Sequence, residues 1–310
     1  MRRALAPLRV YSEATGRERA GRTPPTGALR VGVWRPALAR LLPLLSLAPA
    51  LSFAARCTPG VRSLTYEGVE VLRQRDPPRT VLAVGAHAGD MELTSGAVLA
   101  AERERGGRVV LLHLTLGERG NPRTSPDAYG AQKRREALAA AAALGAEVRF
   151  GPFRDGEVPN DEGARRYVAG VIRDVRPTIV ITHWKHSIHR DHATTSAVVR
   201  DAVLLASLDG VAVDGAPYRG VRGVWYAENW EDREGFSPYV YVAVRDSTAL
   251  ARWRDAVTKY EFARGGVAPF PYLDYYQALA VVRGAEAHAG RAEAFDVDEI
   301  GKRRVLDSLP

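Results

Sequence analysis

Short, almost wholly apolar runs alternate along this chain with longer segments of helical periodicity. Thr80-Val-Leu-Ala-Val-Gly-Ala86 is the first such run, the pattern of a strand buried on both faces. Residues 93–105 follow with helical spacing, stopped by Gly106-Gly107. Arg108-Val-Val-Leu-Leu-His-Leu114 reads as a second buried strand, the Ala-rich 127–144 as a helix closed by Gly145, and Glu147-Val-Arg-Phe150 as a third strand. A helix over 161–175 ends before Pro177, Thr178-Ile-Val-Ile-Thr182 is a fourth strand, and 190–206 is helical. Beyond residue 220 the pattern loosens, with strands expected over 221–226 and 239–244 and helices over 247–262 and 272–287.

Strands alternating with helices predict an α/β fold, a Rossmann-like parallel sheet with helices on both faces, in a single domain spanning 78–310. Ligands of such sheets bind outside the carboxyl ends of the strands. Two segments stand there: 86–92 after the first strand and 183–192 after the fourth.

Residues 1–77 break the pattern. Pro, Gly and Arg crowd the first 36 positions, which reads as disorder. The apolar run 41–55 is interrupted by Pro43 and Pro49, so it is too short to span a bilayer. It also lies later than the apolar core of a signal peptide, and Arg56 precedes Cys57 where a lipoprotein cleavage motif wants a small residue. We read 1–77 as a poorly packed N-terminal extension and the protein as cytoplasmic, export being the minority reading.

Composition narrows the chemistry. The 310 residues carry a net charge of +8, but nine Arg against two Glu fall in the first 40 positions, and no basic stripe interleaves with aromatics. Nucleic-acid binding is therefore not expected. Cys57 is the one cysteine, so an internal disulfide and a cysteine-based zinc site are both excluded. Any metal must be held by His and carboxylate.

The seven histidines are not scattered: His183, His186, His189 and His192 fall within one decade. Across the expected cleft, His87 and Asp90 leave the first strand with Ala88 and Gly89 between them. His87, Asp90 and His192 make three protein ligands with an open position, the pattern of a catalytic rather than structural zinc site. Iron or manganese would suit the same set. Asp191, beside His192, is placed to orient an imidazole or reach a bound water. The competing reading makes His87 a loop histidine and Asp90 a helix N-cap.

These residues resemble the PIG-L/LmbE-like N-deacetylases, zinc enzymes that remove acetyl groups from N-acetylglucosamine-type sugars. The family's His-Pro-Asp-Asp-Glu is met by His87-Ala-Gly-Asp-Met91 and its His-Pro-Asp-His by His189-Arg-Asp-His192. Leu116-Gly-Glu-Arg-Gly120, Lys133-Arg-Arg-Glu136 with Leu144-Gly145, Arg283-Gly284 and Ala292-Glu-Ala-Phe295 keep the family's order over roughly 78–300. The resemblance implies that His87, Asp90 and His192 hold zinc, that His189 steadies the oxyanion or protonates the leaving amine, and that Asp191 is a supporting carboxylate. One departure is serious. The family's general base is the first Asp of its pair, and this chain has Gly89 there.

Three carboxylates are candidates to stand in: Glu92, two residues past Asp90, Glu118, and Asp191, with Glu92 and Asp191 ranked first. A first-turn Glu92 would equally serve the helix dipole. Glu118 reads otherwise as a substrate hydroxyl acceptor or a turn residue. Lys133 and Arg134 are candidates for a sugar hydroxyl or phosphate, and Asn229, between Trp225 and Trp230, for a sugar ring. His113 reads as buried structure and His183 and His186 as supporting or plain loop residues. The expected function is zinc-dependent N-deacetylation of an amino-sugar conjugate, with no membrane span and with a homo-oligomer compatible with the sequence. The alternative is a non-catalytic, metal-dependent carbohydrate-binding protein that has lost its base.

Overall fold

The computed structural model describes residues 78–303 apart from 233, and the backbone of an antiparallel strand pair, β1 (Ser63–Tyr66) and β2 (Val69–Leu72). The rest of the expected N-terminal extension, including the apolar run 41–55 and Cys57, lies outside the described residues.

The apolar runs form strands because each has a core on both sides. In β3 (Thr80–Gly85), Val81 and Ala83 pack into one core while Leu82 and Val84 pack into another. The same alternation divides β4 (Arg108–His113), where Val109 and Leu111 oppose Val110 and Leu112. Side chains point to opposite faces with a period of two, so a strand with no polar face must be covered twice. Helices α1 (Asp90–Glu104) and α2 (Pro126–Leu144) contribute to the first core. After β5 (Glu147–Phe150), α3 (Glu162–Val175) covers the second core together with α4 (Arg190–Ser207), which follows β6 (Ile179–His183). Local signals set the ends. Ser125 accepts from the Ala128 N–H ahead of Pro126, Asp161 accepts from the Ala164 N–H, and α2 stops at Gly145 with φ 70°.

The chain continues through β7 (Gly223–Ala227), β8 (Val240–Ala243), α5 (Ser247–Val257), α6 (Tyr272–Glu286) and β9 (Ala292–Val297). The sheet order is β5-β4-β3-β6-β7-β9-β8, parallel from β5 to β7 and antiparallel at β7-β9 and β9-β8. The fold is therefore a mostly parallel open α/β sheet, with an antiparallel edge that the sequence did not predict. The helix expected over 247–262 ends at Val257. The chain leaves it where Tyr260 turns inward to Glu92, and a single 3-10 turn follows at Phe262–Arg264. Among the described residues no helix is long and apolar enough to cross a membrane.

Helix α1 meets α5 at a glycine. A Cβ on Gly96 would lie 2.4 Å from Trp253 Cδ1, and Trp253 is buried and fixed by its indole N–H donating to the Glu92 carbonyl at 3.0 Å. Gly96→Ala gains about 1 kcal/mol of helix propensity, yet overpacking of a core costs about 1–3 kcal/mol. We expect a net loss of stability in urea titration; a higher midpoint for the variant would show that Trp253 yields freely.

Candidate metal centre and cleft

From β3 the chain builds outward to β4 and β5, then returns to lay β6 against the other side of β3. The loops leaving β3 and β6 therefore diverge, and the gap between them is the switch point at which doubly wound sheets bind ligands. His87 and Asp90 come from the first loop, and His189, Asp191 and His192 from the second and the first turn of α4. The Ala86 N–H donates to His183 Nε2 at 2.9 Å, joining the two strand ends.

One oxygen organises the centre. Asp90 Oδ2 accepts from the His87 backbone N–H at 2.7 Å and lies 3.2 Å from His87 Nδ1, 3.1 Å from His183 Nε2 and 3.5 Å from His192 Nε2. His87 Nδ1 and His192 Nε2 are 3.2 Å apart. The three expected ligands thus present a triangle of atoms with sides of 3.2, 3.2 and 3.5 Å. Bonds of about 2.0–2.1 Å in a tetrahedron require ligand–ligand edges of about 3.3 Å. The donor set fits a zinc-sized ion, and all three residues line the cleft. Three further groups of ligand atoms converge among the described residues: His87, His189 and His192; Asp90, His183 and His192; and His87, Asp155 and Asp191.

The outward ring nitrogens face carboxylates, although neither makes a hydrogen bond by geometry. His87 Nε2 faces Asp155 Oδ1 at 3.1 Å and Asp191 Oδ2 at 3.5 Å, and His192 Nδ1 faces Glu231 Oε1 at 3.7 Å. A carboxylate behind a ligating imidazole fixes its tautomer and raises its basicity. Burial alone would push His87 down, but Asp90, Asp155 and Asp191 outweigh it and hold the imidazole well above its ordinary range. Asp90 is held well below the carboxylate range, since His87, His192 and His183 overcome the cost of burying it. Burial and the neighbouring His183 keep His192 well below the usual imidazole value, as a neutral ligand requires.

The sequence candidates do not all gather here. Asp191 is fully buried and adjoins His87 rather than His192; its carboxylate accepts from the Gly156 and Val158 N–H groups. His189 caps α4, its Nδ1 accepting from the Asp191 N–H at 3.2 Å, and stacks on His192. Glu92 is the clearest departure. It is fully buried, accepts from the Tyr260 hydroxyl at 2.5 Å and lies 3.3 Å from His113 Nε2, facing away from the cleft. Two residues along a helix turn a side chain by about 200°, so Asp90 and Glu92 cannot face one point. Glu118 accepts from the Asp155 N–H at 3.0 Å and so tethers a loop. Arg134 is exposed and lies over the Phe150 ring, whereas Lys133 and Asn229 line the cleft.

The cleft encloses about 290 Å³. Beside His87, Asp90 and His192, Asp155 and Glu231 complete its polar side, and Trp230, Phe262 and Tyr272 form an aromatic wall. Sequence reasoning singled out neither Asp155 nor Glu231. Asp155-Gly156 reads as a plain turn, and Glu231 falls where the hydropathy pattern has loosened. Gly89 has φ 104°, and a Cβ there would lie 2.8 Å from Phe262 Cε1. The aromatic wall thus closes over the position that lacks a carboxylate.

The chain is similar to several known proteins. Residues 82–203 match the family model described as PIG-L: GlcNAc-PI de-N-acetylase. A 4-oxalmesaconate hydratase from Pseudomonas putida is 30% identical over 143 residues, 43% of this chain and 55% of that protein. A 1D-myo-inositol 2-acetamido-2-deoxy-alpha-D-glucopyranoside deacetylase from Kineococcus radiotolerans is 30% identical over 185 residues, 48% of this chain and 51% of its own. The chain spans about half the length of these curated relatives. Among solved structures, the conserved protein TT1542 from Thermus thermophilus superposes with a TM-score of 0.62 at 26% identity, covering 71% of this chain and 94% of that one.

Proposed function

We propose that this chain, whose residues 82–203 match the family model described as PIG-L: GlcNAc-PI de-N-acetylase, is a zinc-dependent amide hydrolase removing an N-acetyl group from an N-acetylglucosamine-type sugar conjugate. The observation that carries the reading is the triangle of His87 Nδ1, Asp90 Oδ2 and His192 Nε2, with carboxylates behind both imidazoles. Zinc held there would polarise an amide carbonyl and lower the pKa of a bound water to about 7.

The chain's own residues do the rest. Asp155 and Glu231 place negative charge behind the two imidazoles, and Asp191 holds the Gly156 turn against His87. His189, stacked on His192 at the cleft, is placed to steady the oxyanion by hydrogen bonding. Burial and the charge on His87 hold its imidazole below the ordinary range, which disfavours its protonated form. Trp230 and Tyr272 offer flat faces, and Asn229 an amide, to a sugar ring. A cytoplasmic compartment is part of the same proposal and rests on sequence alone.

The similarity to a hydratase favours a second reading, in which the same polarised water adds across an activated double bond. Elemental analysis of the purified protein and release of free amine from N-acetylglucosaminyl conjugates test the proposal. We expect about one zinc per chain and amine release well above a His192→Ala control. Bound metal without amine release would discard the deacetylase reading in favour of hydration or of carbohydrate binding, and a chain that refuses added zinc would discard the metal centre.

A further inference from the structure

Most titratable groups around the cleft are already engaged. His87, Asp90 and His192 form the triangle, Asp155 and Glu231 stand behind the imidazoles, His183 accepts from the Ala86 N–H, and His189 accepts from the Asp191 N–H. Lys133 stands apart from that set. Its side chain is only 4% exposed, yet it lines the cleft. Its Nζ donates to the Ala88 carbonyl at 2.5 Å, on the loop between the two ligand residues and next to Gly89. The amine lies 4.2 Å from the centroid of the Phe262 ring, the same ring that closes over Gly89, and 4.7 Å from that of Tyr260. A single acceptor leaves two of the three ammonium hydrogens, or the lone pair of a neutral amine, for the cleft.

We propose that Lys133 is the proton-accepting residue of this cleft, taking the part for which position 89 offers no side chain. The inference rests on the amide-hydrolase reading. The neutral amine accepts a proton from water as the water oxygen bonds to the acyl carbon. The carbon–nitrogen bond then breaks, and that proton passes to the departing nitrogen. Acid and amine are released, and the lysine returns to its neutral form.

The surroundings support such a cycle. Burial pushes Lys133 down to about 8, against the opposing pull of Asp90 and Glu92 from α1, Glu136 on its own helix and Asp155 from the loop after β5. An acid–base group works best when its pKa lies near the working pH. Tyr260, the other titratable group against it, is held well above the phenol range by burial and by Glu92, and so remains a neutral ring.

The test compares Lys133→Met, Lys133→Arg and Lys133→Ala in the metal-loaded, full-length protein, with metal content and circular dichroism checked for each. Wild-type kcat should climb with pH through a limb near 8, and Lys133→Met should lose about 100-fold, the lower range of general-base contributions. Lys133→Arg should be equally impaired, because a guanidinium keeps the positive charge but does not release a proton. Methylamine should restore part of the rate of Lys133→Ala in proportion to its concentration. A Lys133→Arg enzyme within threefold of wild type, or a pH limb unmoved in Lys133→Met, overturns the inference while leaving the hydrolase reading intact. Silence of the wild type on every amide tested overturns both. A readout independent of turnover is the Lys133 signal in protein labelled at lysine Cε, assigned by its loss in Lys133→Met. A titration midpoint near 8 agrees with the proposal, and one above 10 refutes it.

Discussion

Under the proposed amide-hydrolase reading, Asp90→Ala is expected to abolish metal binding and to lower amide hydrolysis at least about a thousandfold. Asp90 Oδ2 is the atom around which His87, His183 and His192 converge, and it also accepts the His87 backbone N–H at 2.7 Å. Truncation removes the anionic member of the ligand triangle and leaves a buried donor without its acceptor. A lost hydrogen bond of that kind costs about 1–3 kcal/mol. Metal polarisation contributes several kcal/mol to such reactions, and about 4 kcal/mol already equals a thousandfold in rate. Asp90→Asn separates the two effects, since its amide oxygen can still accept from His87 while the negative charge is gone. We expect it to keep most of the stability and to lose the metal. Calorimetric zinc titration and thermal unfolding read these quantities separately; stoichiometric zinc on Asp90→Ala would remove Asp90 from the ligand set.

Gly89→Asp, the substitution that would place a carboxylate between the two loop residues His87 and Asp90, is expected to destabilise the protein by about 2–4 kcal/mol without raising activity. At φ 104° a side chain is strained, which costs about 1–3 kcal/mol, and the new Cβ would sit 2.8 Å from Phe262 Cε1 and 2.9 Å from its Cζ. The ring has little room to retreat. It packs against Tyr260 and Tyr272 with centroids 5.4 and 5.3 Å away, and Tyr260 is itself fixed by Glu92. Pairing the substitution with Phe262→Ala should recover the steric share and leave the backbone strain, so the two changes should couple strongly in a double-mutant cycle. Additive effects in urea denaturation would mean that the ring does not guard position 89.

The two predictions share a lesson about what a sequence displays. The strands over 80–85, 108–113 and 179–183 were legible because two-sided burial leaves no polar position to confuse the pattern. The ligand loops followed from them, since chain order alone puts 86–92 and 183–192 at strand ends. β9 escaped notice because Ala-Glu-Ala-Phe-Asp-Val alternates weakly and buries its acids. Glu293 accepts from the Ala97 and Val98 N–H groups of α1, and Asp296 from the Ser237 N–H, partners separated in sequence by more than 50 residues. Asp155 and Glu231 were missed for a similar reason: an acid in an irregular loop looks the same whether it meets water or an imidazole. Glu92 was misread because nearness in sequence was taken for nearness in space, and helical rotation sent it to Tyr260 and His113 instead. Lys133 and Arg134, adjacent in the chain, part for the same reason, one into the cleft and one onto Phe150.

The pairing of β3 with β6 also has a kinetic consequence. Ala83 aligns with Ile181, so His87 and His192 meet only when a loop of about a hundred residues has closed, a loop that contains two strand–helix units packed on the other side of β3. Closing a long loop carries an entropic penalty before any contact rewards it, and distant pairings of this type form late. The ligand triangle is therefore not a nucleus around which the chain condenses. Capture of the ion by these atoms would report that the parallel sheet has been completed, and during synthesis it would have to wait for the second half of the domain.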